Sequence, residues 1–289
     1  MKRKTPAVFL AAGFLLLGAG ALWARVNFLS LDDLSDKAIS PQGRIALNLD
    51  GINWFHAETN HFVYHFTSYK EDIELYYEKA EVYYQWIKDL FGIERDEWTK
   101  KGHIFVFTYE PFWKKFNARV QKTVQAEAFT SGWELYVWRH PQELNRIKTL
   151  SHELTHVIVF RFLEGTIPLS LNEGFAEFVS YRAIAEKKGF DYTKLKIIHP
   201  LKSGEYMPLE ELLSTESYPP DPKSIENFYV ESESLVQYLI LKYGGPKFYT
   251  LLHDVSKGET FSSALDRIYR MSLGTLERSF KPYMTQGAV

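Results

Sequence analysis

The spacing of apolar and polar positions changes character along the chain, and each change predicts a different kind of element. Ala7 to Ala24 is an 18-residue run without a charge, preceded by Lys2, Arg3 and Lys4 and closed by Arg25. Residues 26–50 mix polar and apolar positions without a period, with Pro41, Gly43 and Gly51 as punctuation, and read as a linker. His61 to Phe66 alternates like a strand. Glu71 to Leu90 places Ile73, Tyr76, Val82, Tyr83, Trp86 and Leu90 at helical spacing, stopped by Gly92. His103 to Tyr109 is a short apolar run of the buried-strand type, and Pro111 opens a helical piece through Phe116. Ala126 to Thr130 and Trp133 to Trp138 are strand-like runs joined at Ser131-Gly132, which predicts a hairpin.

Beyond Arg139 the pattern is almost wholly helical. Pro141 suits the first turn of a helix running to Glu164, with Gly165 as its stop, and a second helix is expected from Asn172 to Lys188-Gly189. Asp191 to Ile225 carries five prolines and reads as irregular. Helices follow over Asn227–Tyr243, Pro246–Val255 and Ser262–Met271, with a last one after Leu273. The expected organisation is therefore an N-terminal segment (1–25), a linker (26–50), a mixed α/β lobe with an edge strand (51–140) and a helical lobe (141–289).

Composition narrows the chemistry. A formal net charge of −2 argues against a nucleic-acid binder that works by neutralising phosphates, and no pattern for a nucleotide cofactor is present. With no cysteine, thiolate metal sites, disulfides and a cysteine nucleophile are excluded, so any metal must be held by histidine and carboxylate. The first 25 residues fit either a cleaved signal peptide, with Ala19-Gly20-Ala21 as a small-x-small site, or a retained membrane anchor with Trp23 and Arg25 at the interface. Both place the residues after Arg25 outside the cytoplasm. The balance tips towards a single retained N-terminal helix; a periplasmic or secreted protein results if the segment is cut.

His152-Glu153-Leu154-Thr155-His156 sits inside the first of the C-terminal helical patterns. A four-residue spacing puts both imidazoles on one helix face, where they can converge on one metal ion. Zinc suits two histidine nitrogens and one carboxylate with a position left for water. Glu153, rotated about 100° from His152, falls beside such an ion as a general base. Asn172-Glu173-Gly174-Phe175-Ala176-Glu177 comes after a short link. On a helix Glu173 and Glu177 face the same way, Glu173 as third ligand and Glu177 holding a histidine by its other ring nitrogen.

The HELTH and NEGFAE strings together resemble the gluzincin metallopeptidases, and most closely bacterial proteins with a peptidase MA-like domain; the resemblance spans roughly Thr149 to Leu252. It implies a zincin-like α+β fold, a small strand-containing lobe and a helical lobe with the zinc site between them. It implies one Zn2+ per chain on His152, His156 and Glu173, Glu153 as base, and Glu177 with Asn172 supporting the ligands. Related enzymes place a tyrosine or histidine downstream of the third ligand to stabilise the oxyanion, and Tyr229 is the candidate here. They also keep an edge strand before the zinc helix that pairs with extended substrate, a role that would fall to Trp133, Glu134, Leu135 and Tyr136 unless this is an ordinary core strand. The Gly-x-Met-Glu-Asn signature of the aminopeptidase branch is absent. The expected function is an extracytoplasmic zinc metalloendopeptidase acting on peptide or protein substrates. Two alternatives stay open: an idle peptidase-like module that binds an envelope protein, and an amidase acting on cell-wall crosslinks.

Overall fold

The computed structural model describes residues 26–68, 73–95, 98–120, 127–163, 165–192, 201 and 206–286. Residues 1–25, read as signal or anchor, lie outside them; among the described residues no helix is long and apolar enough to cross a membrane. Among the described residues five strands form one sheet: β1 (Phe55–Glu58), β2 (Phe62–Phe66), β3 (Gly102–Phe107), β4 (Ala128–Ser131) and β5 (Glu134–Trp138), in the order β1-β2-β3-β5-β4. The two outer pairs are antiparallel hairpins and the central pairings are parallel, with Phe62 opposite Gly102 and His103 opposite Glu134. Parallel neighbours need a crossover, here α2 (Ile73–Phe91) between β2 and β3 and α3 (Glu110–Val120) after β3. The predicted turn at Ser131-Gly132 is present, with Gly132 at φ +60°, a conformation that glycine adopts without steric cost.

Strand periodicity sorts the two faces. Tyr64 of β2, Ile104 and Val106 of β3, and Leu135 and Val137 of β5 share a core with α2 and with α4 (Glu143–Leu163). Phe105, Phe107 and Tyr136 point the other way, against Trp113 and Phe116 of α3, Ala46 of α1 (Pro41–Leu47) and Leu49 just after it. The stretch expected to be a linker is thus part of the fold. Ser40 caps α1 by accepting from the Gly43 amide at 3.1 Å, Pro41 fills its first turn, and the helix closes one face of the sheet. Its few apolar residues are too sparse to show a period in the sequence alone.

β5 is not the edge strand that the Trp133–Trp138 run was expected to supply. It runs inside the sheet, between β3 and β4, so its main chain is committed on both sides. Glu134, Leu135 and Tyr136 are fully buried, and Glu134 accepts from Ser40 and from the Tyr136 hydroxyl. Trp133 lies in the turn, its indole donating to Ala38 O and its ring facing Arg161. The edge is β4. Glu134, Leu135 and Tyr136 thus belong to a core strand and Trp133 to the turn before it, not to a free edge, because strand order depends on the crossovers rather than on local pattern.

The helices after β5 are α4, α5 (Leu169–Lys187), α6 (Leu209–Ser214), α7 (Pro222–Tyr243), α8 (Gly245–Ser256), α9 (Phe261–Tyr269) and α10 (Leu273–Gln286). α5 starts three residues before the expected Asn172. α7 starts five before Asn227, where Asp221 caps it by accepting from the Ser224 amide. Part of the irregular 191–225 stretch is α6; residues 193–200 and 202–205 are not among those described. One apolar core runs from the sheet through α2 and α4 into α5 to α10, so no boundary falls near Arg139. α5 and α7 approach so closely at Gly174 that a Cβ there would lie 2.2 Å from Ser232 O. That approach is why a glycine follows Glu173.

Candidate metal centre

α4 lies on the sheet, with Ile147, Leu150, Leu154, Val157 and Ile158 buried beneath it. This turns the opposite side of the helix, with His152 and His156, towards α5. Pro168 and the short link before α5 bring the second helix back against the first, so Glu173 and Glu177 meet the two histidines. His152 Nε2 and His156 Nε2 are 3.3 Å apart, and Glu173 places Oε2 3.3 Å from His152 Nε2 and Oε1 3.7 Å from His156 Nε2. The ligand atoms of the three residues all lie within 4.8 Å of one another. All of them come from the helical half of the molecule, rather than from two lobes.

The outer contacts fix these side chains. His156 Nδ1 is 3.1 Å from Asn172 Oδ1, to which it donates, so that Nε2 is left with its lone pair towards the centre. His152 Nδ1 is 3.0 Å from Glu177 Oε1, and Lys148 Nζ is 3.5 Å from Glu177 Oε2. Glu153, partly buried, is near enough for its charge to act on both His152 and Tyr229. Tyr229, on α7, sets its ring 6.4 Å from that of His152 at a steep angle. The structure thus gathers His152, Glu153, His156, Asn172, Glu173, Glu177 and Tyr229, while Glu134, Leu135 and Tyr136 belong to the sheet and Trp133 to the turn before β5.

Tyr218 is the residue that sequence reasoning missed. It comes from the connection between α6 and α7, its hydroxyl donates to Glu173 Oε1 at 2.8 Å, and its ring stacks on Tyr229 at 6.0 Å. The local signal for it is faint: a tyrosine just before Pro219-Pro220, in a stretch that reads as loop.

The electrostatics call for a cation. Burial alone would push the His152 imidazolium down, but Glu173, Glu177 and Glu153 overcome that and hold its pKa up to about 10. Burial likewise works against the charged forms of Glu173 and Glu177. Their histidine partner, with Lys148 beside Glu177 and Tyr218 on Glu173, nevertheless keeps both below the usual carboxylate range. An imidazole set among three carboxylates, beside a second imidazole, is a group that could hold a divalent ion.

Zinc passes a geometric test here. Four ligands at roughly 2.0–2.1 Å in a tetrahedron stand about 3.3 Å from one another, which matches the separations of His152 Nε2 from His156 Nε2 and from Glu173 Oε2. Buried Glu173 Oε2 faces His152 Nε2 without the alignment of a hydrogen bond, an orphaned acceptor that a cation would satisfy. A profile of the peptidase MA superfamily matches residues 128–286, more than half of the chain, from the first residue of β4 to the end of α10. The chain belongs to the peptidase MA superfamily. No curated protein matches it. The matched region holds every residue of the centre; β1 to β3 with α1 to α3 lie outside it. Membership in this peptidase MA superfamily bears out the resemblance carried by the HELTH and NEGFAE strings and makes a peptidase-like hydrolase the context of the centre.

Proposed function

We propose that the protein is a zinc-dependent metalloendopeptidase working outside the cytoplasm. The observation that carries the reading is the convergence of His152, His156 and Glu173 on one point, with Glu153 beside it, within a peptidase MA chain. A zinc ion at that point would bring the pKa of a water towards about 7 and polarise the scissile carbonyl. Glu153 accepts the proton of the attacking water and hands it to the leaving amine, the work of a general base turned general acid. Tyr229 donates its hydroxyl hydrogen to the developing oxyanion; burial and nearby carboxylates raise its pKa, so it keeps that hydrogen through the physiological range. Asn172 orients the His156 imidazole and holds its tautomer, and the Glu177 carboxylate stands beside His152 Nδ1 as its countercharge.

Main-chain pairing with an extended peptide falls to β4, the outer strand on this side of the sheet, in place of Trp133–Trp138. Such pairing binds many sequences with little preference. The positive Lys2-Arg3-Lys4 cluster and the uncharged run after it support an extracytoplasmic site of action, at the membrane or released from it. N-terminal sequencing of the mature chain distinguishes the two.

The deciding experiment compares the wild type with Glu153→Gln by metal analysis and proteomic cleavage profiling. About one zinc per chain is expected in both, with cleavage in the wild type and turnover reduced at least 100-fold in the variant. Undiminished cleavage by Glu153→Gln removes the mechanism, and a wild type that binds no zinc removes the reading.

A further inference from the structure

We infer that Tyr218 is a positioning residue of the metal centre, which selects the Glu173 oxygen that faces the ion. This rests on the metallopeptidase reading above. The two oxygens of Glu173 have different surroundings. Oε1 accepts from the Tyr218 hydroxyl at 2.8 Å and stands off at 3.7 Å from His156 Nε2, whereas Oε2 is buried, lacks an aligned hydrogen bond and lies closer, 3.3 Å from His152 Nε2. A carboxylate with both oxygens free can rotate, or spread both over one ion. With Oε1 tied by a phenol, a single oxygen is directed at the point where the imidazoles meet, and a coordination position stays open for water.

The chain around Tyr218 is built to hold that phenol still. Pro219 and Pro220 fix two successive φ angles, Asp221 accepts from the Ser224 amide, and Pro222 opens α7, so the last residues before the helix form a strut rather than a free loop. The ring is clamped by stacking on Tyr229 at 6.0 Å and by an edge contact with Phe228 at 6.2 Å. It is also 48% exposed. A side chain so open to solvent would be mobile without these contacts; with them it forms the outer wall of the centre, between Glu173 and the bulk.

The test is Tyr218→Phe in the full chain, which keeps the ring and its stacking and removes one oxygen. Zinc affinity is measured by competition with a chromophoric chelator, and the visible spectrum of the Co2+-loaded protein reports the ligand field. Loss of a hydrogen bond to a ligand weakens metal binding roughly 10- to 100-fold. We expect a loss in that range for Tyr218→Phe, a shifted Co2+ spectrum, and most of the cleavage rate regained at saturating zinc. If Tyr218→Phe binds zinc like the wild type with an unchanged Co2+ spectrum, the inference is overturned. It is equally overturned if cleavage stays lost at saturating zinc, since the hydroxyl would then act on the substrate. A wild type that binds no zinc instead overturns the metallopeptidase reading itself, so the two failures are told apart.

Discussion

Two groups of histidines in this chain receive opposite treatment. On α4, His152 and His156 lie four residues apart on one helix face and meet carboxylates from α5, and the pKa of His152 is held up to about 10. In the sheet, His56, His65 and His103 come from three neighbouring strands and form a buried relay. His56 Nδ1 is 2.8 Å from His65 Nδ1, and His65 Nε2 is 3.0 Å from His103 Nδ1. At its end His103 Nε2 faces Asp36 Oδ1 at 3.9 Å. Burial pushes His103 down to about 4, with Arg161 and Lys101 adding to the effect and Asp36 opposing it; burial lowers His56 and carries His65 well below its ordinary value. Each contact in the relay uses one ring N–H and one lone pair, so the neutral form fits and a proton added to His65 sets two donors face to face. The number of carboxylates in reach, not the number of histidines, separates a cation site from a neutral structural row.

The sharpest test exchanges one histidine in each group. His156→Ala should reduce bound zinc from about one per chain to background and abolish cleavage, as read by metal analysis and peptide hydrolysis. His65→Ala should leave zinc stoichiometry unchanged. It leaves a cavity beside Phe105 and two unpaired imidazoles, and should cost about 2–4 kcal/mol in denaturant unfolding. Zinc loss in His65→Ala would break the distinction.

Acid and alkali should next pull the two groups apart in the metal-free protein. The folded pKa of His103 is below the unfolded value near 6.5, so the unfolded chain takes up the proton first. Its stability contribution is therefore lost as pH falls from about 6.5 to about 4, by roughly 3 kcal/mol for this residue. His152 runs the other way: its folded pKa lies above 6.5, so its contribution is complete below 6.5 and is lost as pH rises towards about 10. Thermal melts should show both limbs without metal and lose only the alkaline one on adding zinc, because the ion takes the proton's place. An alkaline limb that survives zinc saturation would count against the metal centre. The smallest expected effect is that of Asn172→Ala, which frees the Nδ1 side of His156 and should weaken zinc binding about 10-fold in a chelator titration.

The histidine pairs also mark how far local pattern carries. His61 and His65 share the four-residue spacing of His152 and His156, but the alternation around them predicts a strand. His65 is indeed in β2, while His61, just before it, pairs with Glu81 of α2 instead. Glu173 and Glu177 were legible for the same reason as the zinc-helix histidines, since a helix repeats its face every few residues. The relay of His56, His65 and His103 was not legible, because neighbours across strands are set by register and crossover. Nor was the placement of Trp133 to Tyr136: their pattern is the same in an inner strand as at an edge.

Local order along the chain is enough for what one or two turns of helix can specify: the shared face of His152 and His156, the flanking position of Glu153 and the paired carboxylates of α5; composition alone excludes any thiolate ligand. Tertiary structure alone decided that β4 rather than β5 is the edge, that residues 26–50 pack on the sheet, and that Tyr218 reaches Glu173 across 45 positions. Range explains the division. Helical geometry fixes neighbours three and four residues apart whatever the rest of the chain does, whereas contacts between distant segments exist only once burial of the common core has chosen how those segments pack.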